Sequence, residues 1–239
     1  VDARVRQFAS AFVGCFSRPQ FRHFVTVLVA LLLCQGPRTL TRLFTTVLTT
    51  GSVASLSRFL AKAPWKETDV AAVWRRRFDA QIAPRVAALH AQQRNARPKR
   101  RGRPKASIVT GYLIGDDSTC HKRRGRKMEG LGRHYSTTER RTVTSHSLVP
   151  SLYVVAGRRC PLAPQLYRQK ARCEAARQPF QSKVDLMEAT IRAFQPLADT
   201  RTHVLLDSWY GAKRIWKAAR DRGLSDDDRF AQPSCPPGR

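Results

Sequence analysis

Acidic side chains are what this sequence has least of. Against 44 Lys and Arg stand 17 Asp and Glu, a net charge of +27 at pH 7, and no Glu follows Glu188. A charge so one-sided repels itself unless a polyanion neutralises it. Nucleic acid is the polyanion that fits, because each phosphate neutralised releases a counterion. An anionic membrane surface is set aside, since no basic amphipathic helix is found. A long hydrophobic run is missing too. The longest, Val25 to Cys34, is interrupted by Thr26 and is about half a bilayer span. It follows Phe21, Arg22 and His23 and ends at Gln35, Gly36 and Pro37, which suits a buried helix; no small-residue cleavage site follows, which argues against a secretory leader. C-x-x-C pairs are also absent. The six cysteines (Cys15, Cys34, Cys120, Cys160, Cys173, Cys235) are scattered, giving no zinc site and no disulfide framework. Reduced cysteines in a cytoplasmic, nucleoid-associated protein are expected.

What is present begins with enough apolar residues, 42%, to build packed cores. Residues 1–93 read as helical. Ser17 can cap a helix starting near Pro19, with Phe21, Phe24, Leu28, Leu31 and Leu32 at helical spacing, and Gly36-Pro37 stops it. A second helix fits Thr39 to Leu48. Ser52 can cap a third carrying Leu56, Phe59 and Leu60, and Thr68 to Gln93 gives one more amphipathic helix. Short helices joined by a Gly-containing turn are compatible with a helix-turn-helix, although any small helical bundle reads alike.

Composition changes sharply over residues 94–106, RNARPKRRGRPKA, which hold no acidic and no large apolar residue. Such a stretch cannot bury a core and is expected to be an exposed linker. Within it, Arg101, Arg103 and Lys105 frame Gly102 and Pro104 in a pattern that resembles the core of the AT-hook. Gly and Pro keep that backbone narrow and extended, and arginines enter a minor groove of strong negative potential. A basic linker held by phosphates without groove preference stands beside that reading; both contact nucleic acid.

The remainder alternates differently. Ser107 to Asp117 reads as a strand, and Arg141 to Val155 as two strands bent at Pro150. Ser182 caps a helix running to Phe194, Thr202 to Asp207 is a short apolar strand, and Lys213 to Arg222 is a basic helix. The order strand, strand, strand, helix, strand, helix is that of the ribonuclease H-like fold without its last strand and helix. The expected class is α+β: a helical, helix-turn-helix-like DNA-binding domain over 1–93, the linker 94–106, a partial ribonuclease H-like core over 107–223, and an atypical tail over 224–239.

In a chain so poor in acids, an acid at the end of an apolar strand needs a reason. Asp116-Asp117 and Asp207 are two such places. In a ribonuclease H-like arrangement the first and fourth strands are parallel neighbours, which brings Asp117 and Asp207 together at one set of strand ends. Two close carboxylates repel, and a divalent cation relieves that repulsion; oxygen ligands with open positions suit Mg²⁺ or Mn²⁺. Such ions activate water or a 3′-hydroxyl and stabilise the leaving oxygen in phosphodiester chemistry. Successive strand residues face opposite ways, so Asp116 and Asp117 cannot both enter one site from a regular strand, and spacing does not choose between them. Asp residues also terminate strands and solvate loops with no further role.

Residues 112–136, YLIGDDSTCHKRRGRKMEGLGRHYS, resemble the first catalytic block of bacterial insertion-sequence transposases of the DDE superfamily. Residues 202–216, THVLLDSWYGAKRIW, resemble the second block, an apolar run followed by Asp-Ser-x-Tyr. The resemblance reaches back through RTLTRL and SLSRFLAKAPW and extends to about Gly223. It implies metal-dependent DNA cleavage and strand transfer at transposon ends and target DNA, with Asp117 as the first catalytic and metal-binding Asp and Asp207 as the second. Ser118 stands where Thr is usual. Lys122, Arg123, Arg124, Arg126 and Lys127 would hold the DNA backbone beside the cut, positioning phosphates rather than reading bases. His121, His134, His146 and His203 are left to packing or phosphate contact. The partner is double-stranded DNA, with a homodimer compatible and a two-metal site expected in a complete enzyme.

The family's third carboxylate is a Glu on a helix beyond the second Asp, and nothing here matches it. The tail LSDDDRFAQPSCPPGR is foreign in texture, with three aspartates and then a Pro-rich end. A one-base shift of suitable codons turns Ser-Asp-Asp-Asp-Arg-Phe-Ala into Leu-Met-Thr-Thr-Gly-Leu-Arg, close to the Thr-Gly-Leu-Lys-like stretch of the family. The expectation is a frameshifted, truncated and inactive copy, checked by looking for the missing Glu codon downstream in another frame. The alternative is a non-catalytic DNA-binding protein that regulates or competes with a full-length transposase. An RNA-binding role ranks below both, because no stacking-platform motif is seen.

Overall fold

The computed structural model describes residues 2–47, 51–95, 108–122, 125, 128–136 and 138–224. The chain divides into two compact units, Val1–Arg76 and Arg77–Arg239. The division falls inside a helix, well before the basic stretch at 94–106.

The first unit holds α1 (Ala3–Ser10), α2 (Arg18–Leu33), α3 (Leu40–Thr46), α4 (Val53–Lys62) and the start of α5 (Glu67–Asn95). Local chemistry sets the starts. The Ser17 N–H donates to Gln20 Oε1 at 2.9 Å, Thr39 Oγ1 accepts from the Arg42 N–H, and Ser52 Oγ accepts from the Ser55 N–H at 3.1 Å, each satisfying a backbone donor that a helix end leaves open. Aromatic rings fill the middle: Phe16 stacks on Phe24 at 4.7 Å, and Phe59 on Trp65 at 5.7 Å.

The second unit is mixed. After the rest of α5 come β1 (Val109–Gly115), β2 (Ser118–His121), β3 (Gly132–Ser136), β4 (Arg141–Val149), β5 (Ser151–Val155), β6 (Arg158–Pro161) and β7 (Gln165–Tyr167). Then follow α6 (Lys170–Ala175), α7 (Lys183–Ala193), β8 (Thr200–Leu206) and α8 (Lys213–Asp221). One sheet has the order β6-β5-β1-β8, with β1 and β8 parallel and the other pairs antiparallel. The other has the order β2-β4-β3, with β7 also on β4. The first sheet agrees with the ribonuclease H-like expectation; of the second, also four-stranded, the sequence pointed to β4 alone, the strand before Pro150.

The two sheets meet along one register. Gly115 pairs with Ser151 and Ser118 with Leu148, both antiparallel, so a single register continues across the gap between them. The Asp116 N–H donates to the Pro150 carbonyl at 3.3 Å. Pro150 itself has no N–H to return, and the ladder breaks there, which places Asp116 and Asp117 at the bend.

Alternation along β1 sends Val109, Gly111, Leu113 and Gly115 to the buried face and leaves Tyr112 exposed. On that face Tyr153 is fully buried against Phe194 at 4.9 Å and Phe78 of α5 at 6.1 Å. Helix α7 lies close to the end of β1. A Cβ on Gly115 would collide with Met187 and lie 2.8 Å from Leu206 Cδ2, so glycine permits an approach that any other residue would block.

Candidate active site

The parallel register of β1 and β8 ends with Gly115 opposite Leu206. The next residue on one strand is Asp116 and on the other Asp207, so the acidic segments leave the sheet side by side, at the spacing of neighbouring strands. Asp116 is exposed, and its Oδ1 accepts from the Asp117 N–H at 2.7 Å. Asp117 is half-buried and continues the inner face of β1, where its Oδ2 receives the ammonium of Lys183 at the first turn of α7. Asp207 caps a short 3-10 turn, Ser208–Tyr210, and its Oδ1 accepts from the Ser208 N–H at 2.5 Å and the Ser208 hydroxyl at 3.1 Å.

Strict strand alternation would give Asp207 the face of Asp116, opposite that of Asp117. Both residues lie beyond the last paired position, and a short 3-10 turn follows Asp207 directly. Tyr210, from that turn, is buried, and its phenol has no hydrogen-bond partner among the described residues. Burial first, then the charges of Asp117, Asp116 and Asp207, push its ionisation well above the ordinary tyrosine value. Three carboxylates from two strand ends therefore lie within electrostatic reach of one phenol. The Trp209 ring beside it is 68% exposed.

Around α7 the remaining charges are paired. The Ser182 hydroxyl, 2.7 Å from Asp185 Oδ2, holds the Asp185 carboxyl below its usual range, with the Ser182 N–H and Arg214 adding to the effect and burial opposing it. Arg214 reaches both Asp185 and Glu188.

A family model described as DDE superfamily endonuclease matches residues 11–92 and 96–225. The chain belongs to the DDE superfamily endonucleases. Comparison with curated proteins and with solved structures found no match. DDE endonucleases act on DNA and typically use divalent metal. Among the described residues, no group of three or more His, Cys, Asp or Glu converges as a ready-made metal cage. Mg²⁺ does not demand one, since one or two carboxylates with waters and substrate phosphates suffice. The donors at these two strand ends are hard oxygens, and Asp117 is already drawn to a cation, a donor chemistry that fits such an ion.

Of the expected DNA contacts, Lys122 directly follows β2, half-buried, with its N–H donating to the Thr144 carbonyl at 2.9 Å. Arg101, Arg103, Lys105, Arg123, Arg124, Arg126 and Lys127 lie outside the described residues, as does the tail from Ser225. The four histidines serve locally: His121 Nδ1 is 2.9 Å from Glu139, His146 Nε2 is 2.8 Å from the Glu129 carbonyl, His203 stacks on Tyr112, and His134 meets the Tyr167 ring. Among the described residues, no helix is long and apolar enough to cross a membrane. Sequence reasoning missed Lys183 and the place of Tyr210. Lysine at a helix start was the available clue, because it opposes the helix dipole.

Proposed function

We propose that the chain is a transposase-type DNA endonuclease that binds double-stranded DNA, with Asp117 and Asp207 as the Mg²⁺- or Mn²⁺-binding carboxylates of its cleavage site. The observation that carries the reading is the parallel end of β1 and β8, with Gly115 beside Leu206 and Asp116 and Asp207 the next residues on the two strands. A bound divalent ion would supply activation of a water or hydroxyl and charge relief at the leaving oxygen. Asp117 and Asp207 would hold it through their carboxylate oxygens. Lys122, Arg123, Arg124, Arg126 and Lys127 would orient the phosphates on either side of the cut. Arg101, Arg103 and Lys105 would add minor-groove or backbone grip. Trp209, open to solvent next to Asp207, offers a flat ring on which an unstacked base can rest. The net charge of +27 supports a DNA partner.

Nicking of supercoiled plasmid in Mn²⁺ tests this. An Asp117→Asn, Asp207→Asn double variant is expected to lose at least about tenfold, since even outer-shell changes cost metal sites that much. Equal nicking by the two proteins removes the catalytic claim. The absence of a three-ligand cluster among the described residues favours one other reading, a DNA-binding protein that competes for transposon ends without cutting. That reading requires preference for end duplex over random DNA at fixed salt together with no nicking at all.

A further inference from the structure

The ion pair between Lys183 and Asp117 is not explained by folding alone. It joins residues on different elements, and both side chains keep access to solvent, 24% and 35%. Lys183 is the first residue of α7, where a cation faces the positive end of the helix dipole and destabilises the helix. A lysine there is disfavoured unless something else holds it. Two groups do: the Asp117 carboxylate and the face of Tyr167, whose ring centre is 5.8 Å from the ammonium. The neighbouring cation, Arg214, is committed to Asp185 and Glu188 and reaches Ser182 Oγ, so it is not placed to exchange with Lys183.

We infer that Lys183 is the resident counter-cation of Asp117, keeping the carboxylate neutralised until a divalent ion takes its place, and then passing to a DNA phosphate. The inference rests on the reading of Asp117 as a metal ligand. An ammonium and a divalent ion compete for one carboxylate, because each repels the other at contact distance. Lysine suits this exchange where arginine would not: it is a compact point charge on a flexible stem, without the planar fork that grips a carboxylate at two points. Once displaced, the ammonium stands beside the site where the scissile phosphate must lie, and it becomes a positioning residue for DNA.

Two readouts that do not depend on turnover test this in the full chain. Mn²⁺ binding to DNA-free protein, followed by electron paramagnetic resonance, is expected to tighten roughly tenfold in Lys183→Met. The salt dependence of DNA affinity is expected to fall by about one counterion in that variant when a non-cleaving divalent ion such as Ca²⁺ is present. It should be unchanged in chelator, where Lys183 of the native protein is still tied to Asp117. A purely structural lysine would not produce that metal-dependent difference. If Lys183→Met does not fold, Lys183→Arg keeps the test alive, since a two-point grip on Asp117 should weaken Mn²⁺ binding. Unchanged or weaker Mn²⁺ binding in Lys183→Met, with binding lost in Asp117→Asn, overturns the exchange and leaves the metal site standing. Full Mn²⁺ binding by Asp117→Asn overturns both.

Discussion

The two compact units use different chemistry for their interiors. Residues 1–76 are packed with rings, Phe8 against Phe12 and Trp74, Phe16 against Phe24, Phe59 and Trp65. The second unit has an apolar centre too, but its distinctive feature is charge at the ends of its elements. Of the 17 acids in the chain, Asp116, Asp117, Asp185, Glu188 and Asp207 lie at the ends of β1 and β8 or on α7, which is where a positively charged protein would need them to hold a cation. Ring burial depends on area removed from water and is indifferent to ions. Carboxylates are not indifferent, and their stability and function are tied to whatever cation stands beside them. The ring-filled unit should therefore respond to truncation, and the other to changes in charge and close approach.

The largest expected effect is Phe59→Ala. Phe59 is buried, 5.6 Å from the His23 ring and 5.7 Å from Trp65, and its carbonyl accepts the Trp65 indole N–H at 2.9 Å. The truncation should cost the helical unit about 3–5 kcal/mol, read as an earlier loss of Trp65 fluorescence in urea. Mn²⁺ affinity should stay as it was; a parallel loss would mean that the two interiors are not separable. Next comes Gly115→Ala. The new methyl would lie 2.7 Å from Met187 Sδ and 2.8 Å from Leu206 Cδ2, and Met187 is fully buried, so overpacking of about 1–3 kcal/mol is expected. By pushing α7 from β1 it should loosen Lys183 from Asp117 and tighten Mn²⁺ binding in the same direction as Lys183→Met. A variant as stable as the native protein would show that the close approach of α7 does not set the ion pair.

Much of this was legible in the sequence because local chemistry was allowed to decide. Ser17, Thr39, Ser52 and Ser182 each stand at the N-cap of a helix that begins where expected, and Pro150 separates β4 from β5. The apolar run before Asp207 is β8, and the pairing of β1 with β8 follows the family order. What could not be read was less periodic. β2, β3, β6 and β7 are three to five residues long, too short for alternation to stand out from turns. The unit boundary within α5 was hidden because the helix is continuous across it, with Phe78 meeting Tyr153 and His90 reaching the Asp199 carbonyl at 2.8 Å. Nor could spacing pair Lys183 with Asp117, 66 positions apart, since that contact depends on how close Gly115 lets α7 come.

The smallest effect sharpens the contrast by pH. His134 is half-buried, its Nε2 has no hydrogen-bond partner among the described residues, and its ring stands edge-on to Tyr167 at 5.9 Å. Burial, then the charge of Lys183, then that of His146, lower its pKa below the ordinary 6.5. The folded protein thus takes up this proton less readily than the unfolded chain, and where the unfolded state binds more protons stability rises with pH. The contribution is complete above pH 6.5, declines as pH falls below that value, and levels off beneath the folded-state pKa. Urea midpoints of the second unit should therefore drop on acidification through this window, and His134→Gln should remove that part of the slope. Lys183→Met should shrink it, because one of the opposing charges is gone; titration of the His134 ring by NMR reads the same change directly. A slope that survives His134→Gln, or that is equally steep for the Trp65 signal of the helical unit, would show that acid sensitivity does not belong to the second unit's half-buried polar groups.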